Sequence, residues 1–372
     1  MKPKIRFKGF EGGWKEERLS EISSSIASGK NIDHKGPYPL YGSTGIIGTT
    51  DKPYHEGPML LVARVGANAG FLQLVNEKCG VSDNTLIVKP KDPVTDNYLF
   101  QYFKFFNLNR FIYGSGQPLI TGGMLKKMPV RYGLKEERET LIDYFTSLDS
   151  QISASTSRLA SLKQMKAASL QAMFPQEGEA VPKIRFKGFE GEWKKVKLGK
   201  LFSERIENNV DGEMLSVTMN NGIIKAAENG RFDNSNSDKS KYKVVKVGDI
   251  AYNSMRMWQG ASGCSQYEGI VSPAYTVVVP NANIHSLFFA YLFKTIPMIN
   301  LFRLHSQGLT KDTWNLKYPA FSIIEVSYPE SKAEQQAIAT YFTSLDRQIS
   351  LQSQRLEKLK QIKSACLDKM FV

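Results

Sequence analysis

"YFTSLDSQIS" at Tyr144–Ser153 returns as "YFTSLDRQIS" at Tyr341–Ser350, and "RLASLKQMKAASLQAMF" at Arg158–Phe174 returns as "RLEKLKQIKSACLDKMF" at Arg355–Phe371. Apolar residues recur in both copies at steps of three and four, and neither copy contains an internal Gly or Pro. This pattern predicts two long helices, each with a narrow apolar stripe that needs a helical partner. The simplest arrangement pairs the two helices with each other as an antiparallel coiled coil, related by a pseudo-two-fold. The stripe residues expected at this interface are Leu141, Phe145, Leu148, Ile152, Leu159, Leu162, Ile338, Phe342, Leu345, Ile349, Leu356 and Leu359.

Each stripe is interrupted by a polar residue at the equivalent point, Ser155 in the first copy and Gln352 in the second. A polar residue in a helical seam can fix the register of the two helices. A solvent-exposed gap in the seam is the other interpretation, and the sequence leaves both open.

The duplication begins well before the helices, because "PKIRFKGFEG" occurs at Pro3–Gly12 and again at Pro182–Gly191. We interpret this decapeptide mainly as an edge element that docks each domain, with direct phosphate contact as the alternative. Between the matched ends the copies diverge, and faint correspondences such as Gln117 with Gln307 remain. The chain is therefore a duplicated two-part module. Its predicted parts are a variable block 1–135, a constant helix 136–178, a variable block 179–329 and a constant helix 330–372.

The variable blocks have the pattern of mixed α/β domains. Short runs such as "GPMLLVARVG" from Gly57 and "YTVVVP" from Tyr275 are bounded by Gly, Pro, Asp or Asn and predict strands. "DNYLFQYFKFFNLNRF" from Asp96 and "IHSLFFAYLFKTIPMINLFRL" from Ile284 have the length and apolar spacing of buried helices. The predicted fold class is α+β, with two similar mixed α/β domains separated by the two long helices.

The formal net charge of +13 is concentrated in the variable blocks. Residues 1–135 hold 19 Lys and Arg against 11 Asp and Glu, and residues 183–329 hold 19 against 13. Two basic blocks favour a polyanion such as nucleic acid as the partner. Lysine-rich solubility is the alternative interpretation.

The three cysteines are far apart and fit neither a disulfide framework nor a zinc-ligand spacing, so a reducing cytoplasm is the expected location. No apolar run approaches the ~20 residues of a membrane-spanning helix. No apolar signal segment follows the basic N-terminus, so we expect neither export nor a membrane partner.

Motifs of common catalytic and cofactor sites are missing from the sequence. No G-x-x-x-x-G-K-[ST], H-E-x-x-H or G-x-S-x-G motif occurs, nor the Asn/Asp-Pro-Pro-aromatic motif of adenine methyltransferases. His34, His55, His285 and His305 are scattered without metal-ligand spacing. We therefore expect no catalytic residue, no cofactor and no metal in this chain.

The domain–helix–domain–helix order and the duplicated "YFTSLDxQIS" and "RLxxLKQxK" helices resemble the specificity subunit of type I restriction–modification systems. So do "VGDIAY" at Val247–Tyr252, "VSPAYTVVVP" at Val271–Pro280 and "VSDNTLIVKP" at Val81–Pro90, and the resemblance covers essentially the whole chain. It implies that each variable block is a target recognition domain reading one half of a split, asymmetric site in double-stranded DNA. It also implies an antiparallel coiled coil that binds two methyltransferase subunits, with restriction and translocase subunits joining the full complex. The chain itself would select the DNA sequence and catalyse nothing.

Direct readout of DNA needs Arg, Lys, Asn or Gln side chains that reach base edges from exposed elements. The glycine-rich polar loops supply such residues, although each can instead face solvent or cap a turn. The candidates are Arg64, Asn68, Ser115, Gln117, Thr121, Asn253, Arg256, Gln259, Gln307, Thr310 and Lys311.

Two rival functions stay open at this point. One is a non-catalytic protein-interaction adaptor with two basic domains on a coiled-coil spacer, and the other is a self-sufficient enzyme hidden in the glycine-rich loops. The helix length favours DNA reading, because a helix from Glu136 to Phe174 would be about 58 Å long at 1.5 Å per residue. That exceeds the ~34–36 Å of one DNA turn, so half-sites about one turn apart would be within reach.

Overall fold

The computed structural model describes residues 1–31, 35–111, 118–219, 221–229, 238–311 and 313–372. The chain folds into two compact units, unit 1 with Met1–Ser157 and Ser353–Val372, and unit 2 with Arg158–Gln352. Each unit combines one variable block with the beginning of one duplicated helix and the end of the other.

Unit 1 is built on two four-stranded sheets and a separate strand pair. Its strands are β1 (Lys15–Arg18), β2 (Ser23–Ser28), β3 (Tyr38–Gly42), β4 (Gly45–Thr50), β5 (His55–Glu56), β6 (Met59–Ala63), β7 (Leu72–Val75), β8 (Lys78–Val81), β9 (Thr85–Pro90) and β10 (Pro129–Tyr132). Its helices are α1 (Leu19–Ile22), α2 (Pro93–Phe106), α3 (Gly122–Lys127) and the first part of α4 (Lys135–Ala172). The sheet orders are β2-β9-β6-β7 and β4-β3-β8-β5, and β1 pairs with β10.

Unit 2 repeats one of these sheets. Its strands are β11 (Lys194–Lys197), β12 (Phe202–Glu204), β13 (Leu215–Thr218), β14 (Gly222–Lys225), β15 (Lys243–Val245), β16 (Ile250–Asn253), β17 (Ser262–Cys264), β18 (Gly269–Val271), β19 (Tyr275–Pro280) and β20 (Glu325–Tyr328). Its helices are α5 (Ser286–Leu292), α6 (Ile296–His305), α7 (Tyr318–Ser322) and the first part of α8 (Lys332–Met370). The order β12-β19-β16-β17 corresponds to β2-β9-β6-β7, and β13-β14, β15-β18 and β11-β20 form pairs.

The central strand β6 is apolar at every position because both of its faces are covered. Leu60 and Val62 belong to the core that contains α2 and α4, whereas Met59 and Leu61 belong to a second core. All four side chains are fully buried. The strand β16 is divided between two cores in the same way. Continuous apolar runs are typical of such strands, and the predicted fold class of two mixed α/β domains with two long helices is confirmed.

Within each unit, α4 and α8 run antiparallel. In unit 1 the Tyr144 hydroxyl, near the start of α4, lies 3.3 Å from Cys366 Sγ near the end of α8. In unit 2 the Tyr341 hydroxyl, near the start of α8, lies 2.9 Å from Ser169 Oγ near the end of α4. The two contacts join equivalent positions of the duplicated sequences, so the same helix pairing recurs in both units.

The repeated decapeptide docks each variable block on the start of a long helix. Arg6 contacts Glu137 through two charge-assisted hydrogen bonds, Nε to Oε1 at 2.6 Å and Nη2 to Oε2 at 2.7 Å. Trp14 Nε1 donates to the same carboxylate at 3.1 Å. The equivalent residues of unit 2, with distances of 2.7, 2.8 and 3.3 Å, are Arg185, Glu334 and Trp193. The contacts support docking over phosphate contact by Arg6, because its guanidinium is already paired.

Along the parts of the chain that are described, no individual helix has the length and apolar character needed to cross a membrane. Only α5 and α6 taken together pass that test, and they are bent by 82°. In α5, Ser286, Phe288, Phe289 and Leu292 are buried in unit 2.

Candidate nucleic-acid interface

Two neighbouring backbone segments lie at one end of the β2-β9-β6-β7 sheet in unit 1. Arg64 directly follows β6, and its carbonyl accepts a hydrogen bond from Ile120 N at 2.8 Å. Gly66 N donates to Pro118 O at 3.0 Å. These bonds hold the segment after β6 against the segment that precedes α3.

The unit 1 candidates that are described fall on these two segments. Asn68 is exposed at the end of the turn Gly66–Asn68, and Thr121 is the residue before α3. Arg64, Asn68 and Thr121 therefore share one end of the sheet. Ser115 and Gln117 lie outside the described residues.

Unit 2 has the same arrangement after β16. Ser254 O accepts a hydrogen bond from Leu316 N at 2.9 Å, and the rings of Trp258 and Trp314 meet edge to face with centroids 5.3 Å apart. The segment after β16 is thus held against the segment before α7. The candidates on these two segments are Asn253, Arg256, Gln259, Gln307, Thr310 and Lys311.

Three of the candidate side chains make hydrogen bonds within their own loop or cap a helix, which agrees with the alternative interpretation that such residues cap turns. Thr121 Oγ1 caps α3 by accepting a backbone N–H at 3.2 Å. Asn253 Oδ1 accepts the backbone N–H two residues on at 3.0 Å, and Thr310 Oγ1 lies 3.3 Å from Thr313 Oγ1 in a turn. The candidates whose side chains are exposed are Asn68, Arg256, Gln259, Gln307, Thr310 and Lys311.

Several cations at these loop ends have no carboxylate partner in the described part of the chain. Arg256, Lys311 and Lys317 are exposed. Arg64 is half-buried with Nη1 3.5 Å from Ser28 Oγ, and its Nε is buried without a described hydrogen-bond partner. By contrast, two exposed lysines of β11 have carboxylate partners, Lys194 with Glu330 at 2.6 Å and Lys195 with Glu325 at 3.2 Å. The uncompensated positive charge therefore suits an anionic partner.

The sequence analysis missed a half-buried lysine that contacts the unit 2 loops. Lys294 Nζ donates to the carbonyls of Met219, at 2.9 Å, and of Gly260. Gly260 ends the turn that carries Arg256 and Gln259, and its φ of 81° lies in the left-handed region. Burial lowers the pKa of Lys294 to about 8. The signal for this residue was a lysine inside the apolar run that begins at Ile284.

The spacing from Gln117 to the next equivalent residue differs from the spacing after Gln307. Ile120 N and Leu316 N donate to the carbonyls of equivalent residues, Arg64 and Ser254, so Ile120 corresponds to Leu316. Gln307 precedes Leu316 by nine positions, whereas Gln117 precedes Ile120 by three. Gln117 lies outside the described residues, so its equivalence with Gln307 stays a prediction.

The stripe residues of the long helices differ in burial along each helix. The six nearest the helix starts are at most 6% exposed and lie in the unit cores, where they also contact the variable blocks; they are Leu141, Phe145, Leu148, Ile338, Phe342 and Leu345. Leu162 and Leu356 are 8% and 9% exposed. The half-buried members are Ile152, Leu159, Ile349 and Leu359. Ser155 is also buried and Gln352 half-buried, so Ser155 is no solvent-exposed gap.

The cysteines and the acidic residues offer no evident chemistry at this interface. Burial raises the pKa of Cys79 and of Cys264 to about 11, so both thiols are protonated at neutral pH. No group of three His, Cys, Asp or Glu side chains suited to a metal ion occurs among the residues described.

A family model described as "Type I restriction modification DNA specificity domain" matches residues 11–164 and 190–361. The two matches cover most of the chain, and each spans one variable block with the long helix that follows it. This chain belongs to that family. The type I restriction enzyme EcoprrI specificity subunit of Escherichia coli is 26% identical over 159 residues. That match spans 40% of this chain and 40% of the E. coli protein, less than half the length of either.

Solved structures of type I restriction–modification proteins share the fold of this specificity-family chain. The S subunit from M. genitalium has a TM-score of 0.68 at 15% identity, covering 100% of this chain and 99% of that chain. A chain from a study of complex assembly and conformational transition of the type I R-M system has a TM-score of 0.50 at 14% identity, covering 97% and 98%. At such identities the likeness establishes the fold alone.

Proposed function

We propose that this chain is the DNA specificity subunit of a type I restriction–modification complex. Residues 1–135 would read one half of a split, asymmetric site, and residues 179–329 would read the other. The observation that carries the proposal is the shared backbone of the two loop ends. Equivalent hydrogen bonds, from Ile120 to Arg64 and from Leu316 to Ser254, hold the same two segments together in each unit. Loops that share a backbone arrangement but differ in their side chains suit two domains that recognise different DNA sequences.

The energetics of base recognition favour two domains over one. Each mismatched base pair costs ~1–3 kcal/mol, so one small domain that reads a few base pairs discriminates poorly. Two domains add their penalties and also select the distance between the half-sites. We assign contact with bases or phosphates to the exposed Arg256, Gln259, Gln307 and Lys311, and to Arg64 and Asn68 in unit 1. Thr121, Asn253 and Thr310 would hold the loops in shape.

A groove between α4 and α8 in unit 2 is the docking site we assign to a methyltransferase subunit. Its volume is about 460 Å³, and Met165 in its wall is 50% exposed. Six of its lining residues are identical to their counterparts in the other copy of the duplicated helix. These lining residues are Arg158, Leu162, Tyr341, Ser344, Leu345 and Gln348. Their counterparts, in the same order, are Arg355, Leu359, Tyr144, Ser147, Leu148 and Gln151. Identical residues in otherwise diverged copies suit two copies of one partner, so we propose two methyltransferase subunits.

In this proposal the partners supply the chemistry. The methyltransferase subunits would modify adenines in the selected site, and restriction and translocase subunits would join for cleavage. The complex would act in the cytoplasm, where the DNA of the host and its own partners are found.

The proposal is tested by the salt dependence of DNA binding and by the requirement for partners. The isolated chain should bind duplex DNA with a log K that falls by ~0.9 per neutralised phosphate for each unit of log salt. Arg256→Gln should weaken binding, whereas Lys195→Gln should not, because Lys195 is already paired with Glu325 at 3.2 Å. Methylation should appear only after methyltransferase subunits of the host are added.

Two other results would contradict this function, and a third would contradict the assigned contact residues. Binding that ignores both salt and DNA sequence would indicate the protein-interaction adaptor. Turnover by the isolated chain with a methyl donor or with ATP would indicate an enzyme. Equal losses in Arg256→Gln and Lys195→Gln would place the DNA contact elsewhere on the surface.

A further inference from the structure

Three helices of unit 1 meet at one carboxylate. Asp149 of α4 accepts a hydrogen bond from Lys363 Nζ of α8 and another, at 3.1 Å, from Gln101 Nε2 of α2. Lys104 Nζ, also from α2, lies 3.7 Å from Asp149 Oδ2. We call this group the polar junction of unit 1. It connects both long helices to the buried helix of the variable block.

The same junction recurs in unit 2 with the roles of the long helices exchanged. Asp346 of α8 accepts a hydrogen bond from Lys166 Nζ of α4 at 2.5 Å and from the Tyr291 hydroxyl of α5 at 2.9 Å. Lys294, two residues after α5, corresponds to Lys104 when "YFK" at Tyr102–Lys104 is aligned with "LFK" at Leu292–Lys294. The lysine and aspartate of each pair are identical in the two copies, although the variable-block donor has changed from Gln101 to Tyr291.

The repetitive apolar stripes do not by themselves fix how far α4 slides along α8, although Phe174 and Phe371, which follow the two helices, are buried in the unit cores. The stripe residues are Leu, Ile and Phe at a nearly constant spacing, so a shift of seven residues would again place apolar side chains opposite each other. An Asp–Lys pair is satisfied in one register only. Fixing register is the best-attested use of a polar pair between packed helices, where such pairs add little net stability.

We infer that Asp149 and Asp346 are positioning residues that fix the register of α4 against α8 and hold each variable block on the helix pair. The effect on DNA reading rests on the proposed function. The effect on register does not.

The charges and the burial of the polar junction indicate that it selects one helix register and adds little to the free energy of folding. Burial disfavours the charge of Asp149, but the hydrogen bonds from Lys363 and Gln101 and the charge of Lys104 outweigh it and keep its pKa below the ordinary value. Burial and the nearby Lys363 charge lower the pKa of Lys104 to about 8. The side chains of Asp149 and Lys363 are 36% and 12% exposed. A partly hydrated pair with a second lysine crowded beside it contributes little to folding, yet it still distinguishes one register from another.

A change of register has a measurable size. Seven helical residues correspond to about 10.5 Å at 1.5 Å per residue, which is about three base pairs at 3.4 Å each. Loss of both junctions should therefore broaden the accepted distance between half-sites by about that amount. The sequence of each half-site should not change, because the described partners of both aspartates include none of the candidate reading residues.

The DNA experiment uses the full chain with methyltransferase subunits of its host and a set of duplexes whose half-sites are constant and whose spacers vary. The variant Asp149→Asn/Asp346→Asn should lose about tenfold of its preference for the native spacer, which corresponds to about 1.4 kcal/mol. Each single variant should keep the native preference, because the other junction remains. The charge exchange Asp346→Lys/Lys166→Asp, made in an Asp149→Asn background, should also keep the preference for the native spacer. The exposed pair Asp143→Asn/Asp368→Asn is the matched control and should behave as wild type.

A second measurement reads the register without DNA. The Tyr144 hydroxyl lies 3.3 Å from Cys366 Sγ, so Tyr144→Cys creates a pair that a short thiol-specific reagent should cross-link. Adding Asp149→Asn/Asp346→Asn should reduce the yield of that cross-link, as mapped by peptide digestion. An unchanged cross-link yield together with an unchanged spacer profile would overturn the inference. A wild-type complex that methylates none of the duplexes would instead count against the proposed function, while the cross-link still tests the register.

Discussion

Each unit contains a buried arginine–glutamate pair joined by two charge-assisted hydrogen bonds. The side chain of Glu137 is 2% exposed and that of Arg6 is 14% exposed, and Trp14 donates a further hydrogen bond. Removing one partner of a buried pair leaves the other charge without compensation, which costs ~3–5 kcal/mol. The decapeptide is duplicated, in this account, because each variable block needs the same attachment to a helix start.

We predict that Glu137→Gln lowers the free energy of unfolding of unit 1, and Glu334→Gln that of unit 2, by ~3 kcal/mol each. Glutamine keeps the shape of the side chain and can accept from tryptophan, but it cannot neutralise the arginine. Denaturant unfolding with hydrogen exchange resolved along the chain would assign each loss to its unit. Glu139→Gln is the control, because Glu139 is 46% exposed and pairs with Lys135 on the surface of the same helix; it should change stability by less than ~0.5 kcal/mol. Similar losses in all three variants would contradict the prediction.

Individual residues were only partly predictable from the sequence. Exposure of Arg256, Gln259 and Lys311 agrees with their choice from polar loops. Whether a side chain such as Thr121 reads a partner or caps a helix depends on turn geometry that composition does not fix. Lys294 was missed because its carbonyl partners lie 34 and 75 positions away in the chain.

Among the elements, the long helices were the easiest to predict. Their apolar period persists over many residues without Gly or Pro, and the structure gives helices at Lys135–Ala172 and Lys332–Met370. The sequence did not predict which stripe residues contact the other long helix and which pack in the cores of the variable blocks, because one apolar stripe can do both. The correspondence of Gln117 with Gln307 stays a prediction, because Gln117 lies outside the described residues and the spacing to the next equivalent residue differs between the copies.

At the element scale, we predict the result of lengthening both helices between the two junctions. Inserting seven residues after Ser157 and seven after Gln352 keeps the apolar faces aligned and adds about 10.5 Å of helix. The accepted spacer should lengthen by about three base pairs, while each half-site keeps its sequence. Methylation of duplexes with varied spacers measures this, and a changed half-site sequence would show that the helices do more than set the distance.

At the scale of the whole molecule, the duplication and its divergence carry the functional argument. Family membership and two α/β domains on long helices were within reach of the sequence, because repeats and periodicity are written in it. The bases that each domain reads were not, since base contacts depend on loop conformation and on DNA shape. The feature that the DNA-reading proposal must explain is that one chain carries two basic domains of different sequence.

The most direct measurement of that proposal is a genome-wide map of methylated adenines in a host that carries this chain, compared with the same host lacking it. The account predicts a motif of two unlike half-sites separated by a fixed spacer, which disappears when the chain is removed. Replacement of residues 1–135 by another such domain should change one half of that motif only. A continuous motif, or a methylation map that is the same with and without the chain, would contradict the account.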